Sequence, residues 1–370
     1  MSSPDHTGVE PAFTISTLIV PETIDSPDAA DFLGMAEVRS TVEAEQRGAP
    51  GELFTAEEML PNWKDESTEM LGFVAKVEGR VVARGSLALP ADASECWASV
   101  AVLAAHRNRG IGSALYERLE QTARARGRTT IQNQTSFLAI ATATDTGDSI
   151  SAPTGFGSVP AELPSTRFLR NRGFSLEQVG RLSGLALPVD EEAFSALLAE
   201  TTAAAVGYRT VTWQGRTPHE WMESIALLRT RMSTDAPNAG IEQSEDLWTT
   251  ERVGAFDDLW ETSPRMLLTT IVVDEATETA AGYTELDVPP EPDRSVEQRD
   301  TLVLRDHRGR RLGMLLKLAN IRGLRDGFPD HGLIETMNAE ENRHMLDVNE
   351  AVGFVPLSYA ARWKKVLGRK

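Results

Sequence analysis

The sequence predicts an α/β protein made of two copies of one unit, each a mixed sheet flanked by helices. Two observations carry this expectation. A strand, a glycine-bearing turn and a helix occur twice in that order, and at a shift of 201 residues His106-Arg107-Asn108-Arg109-Gly110-Ile111-Gly112 lies over His307-Arg308-Gly309-Arg310-Arg311-Leu312-Gly313. The histidine, two arginines and the last glycine coincide, and Ile111 meets Leu312. Each copy is then followed by a Gly-Phe pair, Gly173-Phe174 in the first half and Gly353-Phe354 in the second. Self-similarity over a fixed shift is a signature of duplicated structure. A chain of 370 residues is long enough for two domains of ordinary size.

The elements of the first half follow in order. Phe13 to Val20 reads as the first strand, after a polar tail of about 12 residues. Asp28 begins a helix that runs through Val38, and Thr55 caps a second one to about Asn62, with Glu58 three residues on as its capping partner. Leu71–Val77 and Arg80–Leu87 flank Glu78-Gly79, a two-residue hairpin turn. Trp97 to Leu103 is a valine-rich strand, and Ile111, Ala114, Leu115 and Leu119 repeat at helical spacing after it. Thr129 to Gln134 is a further strand, parallel to the one before the turn because a helix separates them. Gly173 to Leu187 finishes the first sheet on this reading.

The second half repeats the plan. Pro188 to Ala204, with Phe194, Leu197 and Leu198 on one face, is a linking helix. Tyr208–Trp213 restarts the strands, and Thr217-Pro218 opens a helix through Ile225 and Leu228. Met266–Val273 and Ala280–Val288 form a hairpin, Thr301–Leu304 the strand before the second turn, and Met314–Leu324 the helix after it. Leu333–Thr336, a helix from Asn338 to Asn349 and a closing strand around Leu357–Trp363 complete the chain. The expected division is 1–187, a linker at 188–206, and 207–370. From Arg107 to Gly173 is 66 residues but from Arg308 to Gly353 only 45. The extra 21 fall in a Gly-, Ser-, Thr- and Pro-rich run from Ala141 to Pro164, a long loop on this reading.

The repeated turn has a chemical meaning. Glycine at a helix start lets the backbone approach a ligand closely, and the first N–H groups of the helix point at whatever docks there. Together with the helix dipole they form an anion site suited to a pyrophosphate. No Lys-Ser/Thr pair follows, which excludes a P-loop, and the spacing is not the dinucleotide Gly-x-Gly-x-x-Gly. The pattern resembles motif A of the GNAT acyltransferases, (Arg/Gln)-x-x-Gly-x-(Gly/Ala) after a Val-rich strand, and the Gly-Phe pairs resemble the end of that family's fourth helix. The resemblance covers both halves, and so implies two tandem GNAT domains.

What the resemblance implies about function is specific. The protein is expected to transfer an acetyl group from acetyl-CoA, or another acyl from a related acyl-CoA, directly to a small-molecule amine. No covalent enzyme intermediate and no metal are invoked. The cofactor would be held by Val100, Val102 and the run Arg107, Asn108, Arg109, Gly110, Ile111, Gly112 and Ser113 in the first half. In the second half Leu302, Val303, Arg308, Gly309, Arg310, Arg311, Leu312 and Gly313 correspond, with Asn342 as the helix-four asparagine that holds the CoA chain. In Gcn5-like members the base is a glutamate eleven residues before the motif, which gives Glu297 in the second half and Cys96, beside Glu95, in the first. Glu285 on the preceding strand faces the same cleft if its side chain points inward. The tyrosine that serves many members as acid is replaced by Leu169 and Asn349, neither of which is a phenol. Arg311 stands where the first motif glycine is usual, where it would either meet a phosphate or block the site. A catalytically silent acyl-CoA-binding sensor or scaffold is the rival expectation.

Composition narrows the classes. With 41% hydrophobic and 25% charged residues the chain reads as globular rather than disordered. A single cysteine, Cys96, forbids an internal disulfide. No basic-then-apolar leader and no apolar run near the ~20 residues of a membrane helix appear, so a cytoplasmic location and no membrane partner are expected. The formal charge of −18 argues against nucleic acid. It suits a cationic partner such as a protonated amine, although solubility accounts for the acidity equally well. Oligomeric state is left open.

Overall fold

The computed structural model describes residues 13–47, 54–65, 67–91, 93–138, 148–235, 239–242 and 245–368. The first half contributes β1 (Thr14–Thr17), α1 (Ala30–Arg47), α2 (Ala56–Lys64), β2 (Thr68–Val77), β3 (Arg80–Pro90), β4 (Glu95–Val102), α3 (Ile111–Ala125) and β5 (Thr130–Leu138). A small hairpin, β6 (Ser149–Ser151) with β7 (Ser158–Pro160), leads to α4 (Pro164–Arg170) and β8 (Ser175–Ala186). The second half contributes α5 (Glu191–Ala204), β9 (Tyr208–Gln214), α6 (Met222–Asp235), α7 (Thr250–Glu261), β10 (Met266–Asp274), β11 (Thr279–Val288) and β12 (Val296–Val303). Then come α8 (Leu312–Gly327), β13 (Leu333–Ala339), α9 (Arg343–Val352) and β14 (Val355–Val366).

Twelve of these strands form one sheet, in the order β1-β2-β3-β4-β5-β14-β8-β13-β12-β11-β10-β9. This order corrects one expectation. Strand β8 does not finish the first half's sheet: it lies between β14 and β13, antiparallel to both. The last strand of the chain, β14, pairs with β5 from Ser358–Leu138 to Val366–Thr130. Each half therefore gives its closing strand to the other. The exchange leaves neither β5 nor β13 as an open edge, and joins the halves through backbone hydrogen bonds. Local sequence cannot reveal it, because each exchanged strand has the same composition wherever it pairs.

Local signals are otherwise followed closely. Thr55 and Glu58 form the capping box of α2, Thr55 Oγ1 accepting from the Glu58 N–H and Glu58 Oε2 from the Thr55 N–H at 2.9 Å. Glu78 and Gly79 both adopt positive φ, 50° and 79°, as a two-residue hairpin turn requires. Strand β1 is shorter than expected, and α1 continues past Val38 to Arg47, with Phe32, Met35, Val38 and Val42 buried along it. Helix α7, not anticipated, is capped by Thr249, which accepts from the Arg252 N–H. Of the long Ala141–Pro164 run, residues 141–147 lie outside the described residues and the rest forms the β6–β7 hairpin. The polar N-terminal tail also lies outside them. No helix among the described residues is long and apolar enough to cross a membrane.

Glu58 also ties the halves together. Its carboxylate is fully buried and receives Arg294 and Arg265 from the second half, while Arg265 pairs in addition with Asp287 on β11. Burial pushes the Asp287 carboxyl up to about 6 against the pull of Arg265 and Arg299.

Candidate active site

Strands β4 and β5 run parallel and are paired only from Glu95–Thr130 to Trp97–Gln132; beyond that they separate. The Asn133 side chain spans the opening, its Nδ2 donating to the Ala98 carbonyl. Along β4 the Leu103 N–H bonds to Val82 on β3. By the alternation of a strand, the backbones of Ala98, Val100 and Val102 therefore face the opening. The gap widens into a cleft of about 840 Å³ that reaches from α1, past the strands, to α3 and α4.

The turn at the mouth of the cleft is built for close approach. Asn108 and Gly110 take positive φ, 60° and 82°, and Ile111 starts α3. The first bond of the helix ladder runs from the Ala114 N–H to the Gly110 carbonyl at 3.0 Å. The N–H groups of Ile111, Gly112 and Ser113 thus have no partner within the helix. A Cβ at Gly112 would make ordinary contact with Val102 Cγ2 at 3.5 Å and Phe168 at 3.6 Å, and a longer side chain there would crowd the space between β4 and α4. Arg107 braces the turn: its Nε donates to the Val102 carbonyl at 2.9 Å and its guanidinium pairs with Glu45 of α1. Arg109 lies exposed on the turn.

The second copy repeats the backbone of this turn and its arginine brace. Arg308 Nε donates to the Val303 carbonyl at 2.9 Å, and its guanidinium pairs with Asp235 of α6 at 2.7 Å. Gly309 and Arg311 take φ of 83° and 56°, matching Asn108 and Gly110. Arg311 therefore keeps the loop's shape in a conformation that costs a side chain about 1–2 kcal/mol. Its guanidinium reaches Glu200 on α5, a pair that is more than half exposed on both sides. Arg310 donates to the Asp306 carbonyl at 3.1 Å and lies over Tyr208. Leu312 is core, and nothing lies within 4 Å of where a Gly313 side chain would begin.

Upstream of the turn the copies part. Strand β12 carries a bulge: Thr301 pairs with Thr284 and Gln298 with Leu286, so Arg299 and Asp300 together stand opposite Glu285. Counting back from Arg308 crosses that extra residue, and Glu297 therefore occupies the position of Trp97, not of Cys96. Glu297 lies in the still-paired part of β12, in register with Asp287 and Glu335 on its two neighbours. Glu285 does turn toward α6, as a side chain facing the cleft would. Its carboxylate is 3% exposed and bonded to Arg229 Nη2 at 2.7 Å, with that guanidinium held between Trp248 and Phe256. This buried pair closes the position where a free base was expected. Leu302 sits in the core with Ile225 and Leu228, and its backbone faces β11; Thr301 and Val303 carry the opposite-facing backbone. Asn342 caps α9, its Oδ1 accepting from the Met345 N–H at 3.4 Å.

The positions of the missing tyrosines are occupied by core groups. Leu169 is buried, and Asn349 donates to Asn338 at 2.6 Å. Tyr116, one turn into α3, is the phenol that lines the first cleft, and burial with Glu120 pushes its pKa up. Cys96 is buried as well, its thiol pushed up to about 12 by burial. Sequence reasoning missed Tyr116, Asn133 and Arg84, because none belongs to the repeated turn.

Fold and cleft are similar to those of tandem GNAT acetyltransferases. Residues 38–139, the stretch that builds the first cleft from α1 to β5, match the model of the acetyltransferase (GNAT) family. The chain is similar to the tandem GNAT protein from the clavulanic acid biosynthesis pathway, solved without acetyl-CoA, with a TM-score of 0.72 and 26% identity over 96% of this chain and 100% of that one. A GCN5-related N-acetyltransferase from Sphaerobacter thermophilus shares the fold at a TM-score of 0.61 and 14% identity, over 96% of each chain. No curated protein matches the sequence.

Proposed function

We propose that the first cleft binds acetyl-CoA, or a related acyl-CoA, and transfers its acyl group to the amine of a small molecule. The observation that carries this reading is the opening between β4 and β5. It sets the unpartnered N–H groups of Ile111, Gly112 and Ser113 at one end and the outward-facing backbone of Val100 and Val102 along one side. The helix end would receive the pyrophosphate, and a β4 N–H would polarise the thioester carbonyl. The amine nitrogen attacks that carbonyl carbon, the C–N bond forms and the C–S bond breaks. The amine gives up a proton, and the thiolate leaves as free CoA after taking one up. Glu285 and Glu297 belong to the second unit, and on this reading Glu297→Gln keeps full turnover, while Glu285→Gln acts only through the stability of its buried pair with Arg229.

A panel of small amines incubated with acetyl-CoA, with free thiol as the readout, tests the proposal. Amine-dependent thiol release supports transfer. Acetyl-CoA binding without release from any amine would favour a silent acyl-CoA binder instead.

A further inference from the structure

Among the described residues, one positive charge in the first cleft has no carboxylate to balance it. Arg84 on β3 lines the α1 side of the cleft and is only 7% exposed. Its Nη2 donates to Ser86 Oγ at 2.8 Å, its Nη1 faces the Met35 sulfur at 3.7 Å, and its buried Nε has no partner among the described residues. Burial and the like charge of Arg39 draw its pKa down to about 10, so it remains a cation at neutral pH. The carboxylate nearest to offsetting it, Glu43, already pairs with Arg39 at 2.7 Å. Arg39 and Glu43 cancel, and a single charge is left over.

The position of that charge matters. Arg84 stands opposite Ala101 and Ser86 opposite Ser99, so these side chains share one face of the sheet. That face is level with Val100, where the acyl group would be polarised. The second unit lacks the charge. Aligning Val303 with Val102 puts Tyr283 in place of Arg84, Glu285 in place of Ser86 and Asp300 in place of Ser99. There Tyr283 donates to Asp300 at 3.2 Å, and Glu285 has its own arginine. In the second unit the buried cation at this site, Arg229, is thus balanced by a carboxylate. An ionised group kept buried without a partner costs stability, and function is the usual reason it persists.

We infer that the acceptor amine of the first cleft carries a carboxylate that seats on Arg84, so that the substrate is an amino acid or a similar aminocarboxylate. This rests on the reading of the cleft as an acyl-transfer site. The free Nε–H, beside the Nη2 edge held by Ser86, offers the fork that a carboxylate accepts from. One unbalanced positive charge matches one carboxylate rather than a phosphate dianion. The substrate's amine then lies toward Val100 and the opening.

The test is thermal unfolding of the wild type, Arg84→Gln and Arg84→Lys, each with and without acetyl-CoA. The probes are the common α-amino acids, β-alanine and 4-aminobutyrate, each beside its carboxamide, together with inorganic phosphate. At least one amino acid should protect the wild type while its carboxamide does not. Its affinity should fall tenfold or more in Arg84→Gln and recover in part in Arg84→Lys. Arg84→Gln alone should unfold no earlier than the wild type, since it removes an unbalanced buried charge. Calorimetry with acetyl-CoA on the same variant should be unchanged. Protection by no carboxylate, equal protection by carboxamides, an equal Arg84-dependent effect of phosphate, or protection that survives in Arg84→Gln would each overturn the inference. Loss of acetyl-CoA binding by the wild type would instead overturn the acyl-transfer reading, and the arm without acetyl-CoA would still decide the carboxylate question.

Discussion

Lys317 on α8 occupies the place that Tyr116 holds on α3, 201 residues earlier. Each faces the phenylalanine of its Gly-Phe pair: Tyr116 lies 5.8 Å from the Phe174 ring, and the Lys317 ammonium 5.8 Å from the Phe354 ring. Lys317 is 1% exposed, and burial alone draws its pKa from 10.5 to about 7. The unfolded chain takes up this proton at higher pH than the fold does. The lysine therefore costs nothing above pH 10.5, costs more as pH falls toward 7, and carries its full penalty below that. The span of 10.5 − 7 = 3.5 pH units corresponds to about 5 kcal/mol as a ceiling. Lys317→Met keeps the length of the side chain and removes the charge. It should stabilise the protein by a few kcal/mol at pH 6, with the gain shrinking steadily to near zero at pH 10.5. Guanidinium denaturation of both proteins at four pH values reads this directly. A variant less stable at pH 6, or a difference that does not change with pH, would refute the reasoning.

Further perturbations test the joint between the halves. Glu58→Gln removes the carboxylate that Arg294 and Arg265 share, while Glu291 and Asp287 still hold them; losing these charge-assisted bonds should lower stability by about 1.5–3 kcal/mol, read by the same denaturation assay. Asp287 has a folded pKa of about 6 against an ordinary 3.8, so the fold holds its proton more tightly than the unfolded chain does. The resulting stability is complete below pH 3.8 and is lost as pH rises through 6. The stability of the wild type relative to Asp287→Asn should accordingly fall between pH 4 and pH 6, and a flat difference would show that the pull of Arg265 and Arg299 cancels the effect of burial. Because the halves share one sheet through β8 and β14, circular dichroism should follow a single unfolding transition.

Much of this architecture is written locally. The capping box of α2, the Glu78-Gly79 turn and the two motif turns are each fixed by a few adjacent residues, and each is legible as such. Three kinds of feature were not. The exchange of β8 and β14 depends on which partner a strand finds, and an alternating strand pattern is silent about that. The bulge at Arg299 and Asp300 shifts the upstream count by one residue, which is why Glu297 lines up with Trp97 when fixed spacing put it over Cys96. The unbalanced charge at Arg84 is invisible in sequence because arginine is common and only burial without a carboxylate makes it unusual. Arg311 shows the converse. Read as a change to a glycine loop, it keeps the left-handed backbone and sends its side chain to Glu200.

On the proposed function, the first turn and its open strands bind acyl-CoA. Titration calorimetry of the wild type and Gly112→Asp with acetyl-CoA tests it most directly. The aspartate would set a carboxylate beside the unpartnered helix N–H groups, and a side chain into the gap to Val102 and Phe168. The expected result is a saturable binding event in the wild type that Gly112→Asp weakens at least tenfold, a change of about 1.4 kcal/mol or more. Unchanged affinity and stoichiometry in Gly112→Asp would contradict the account.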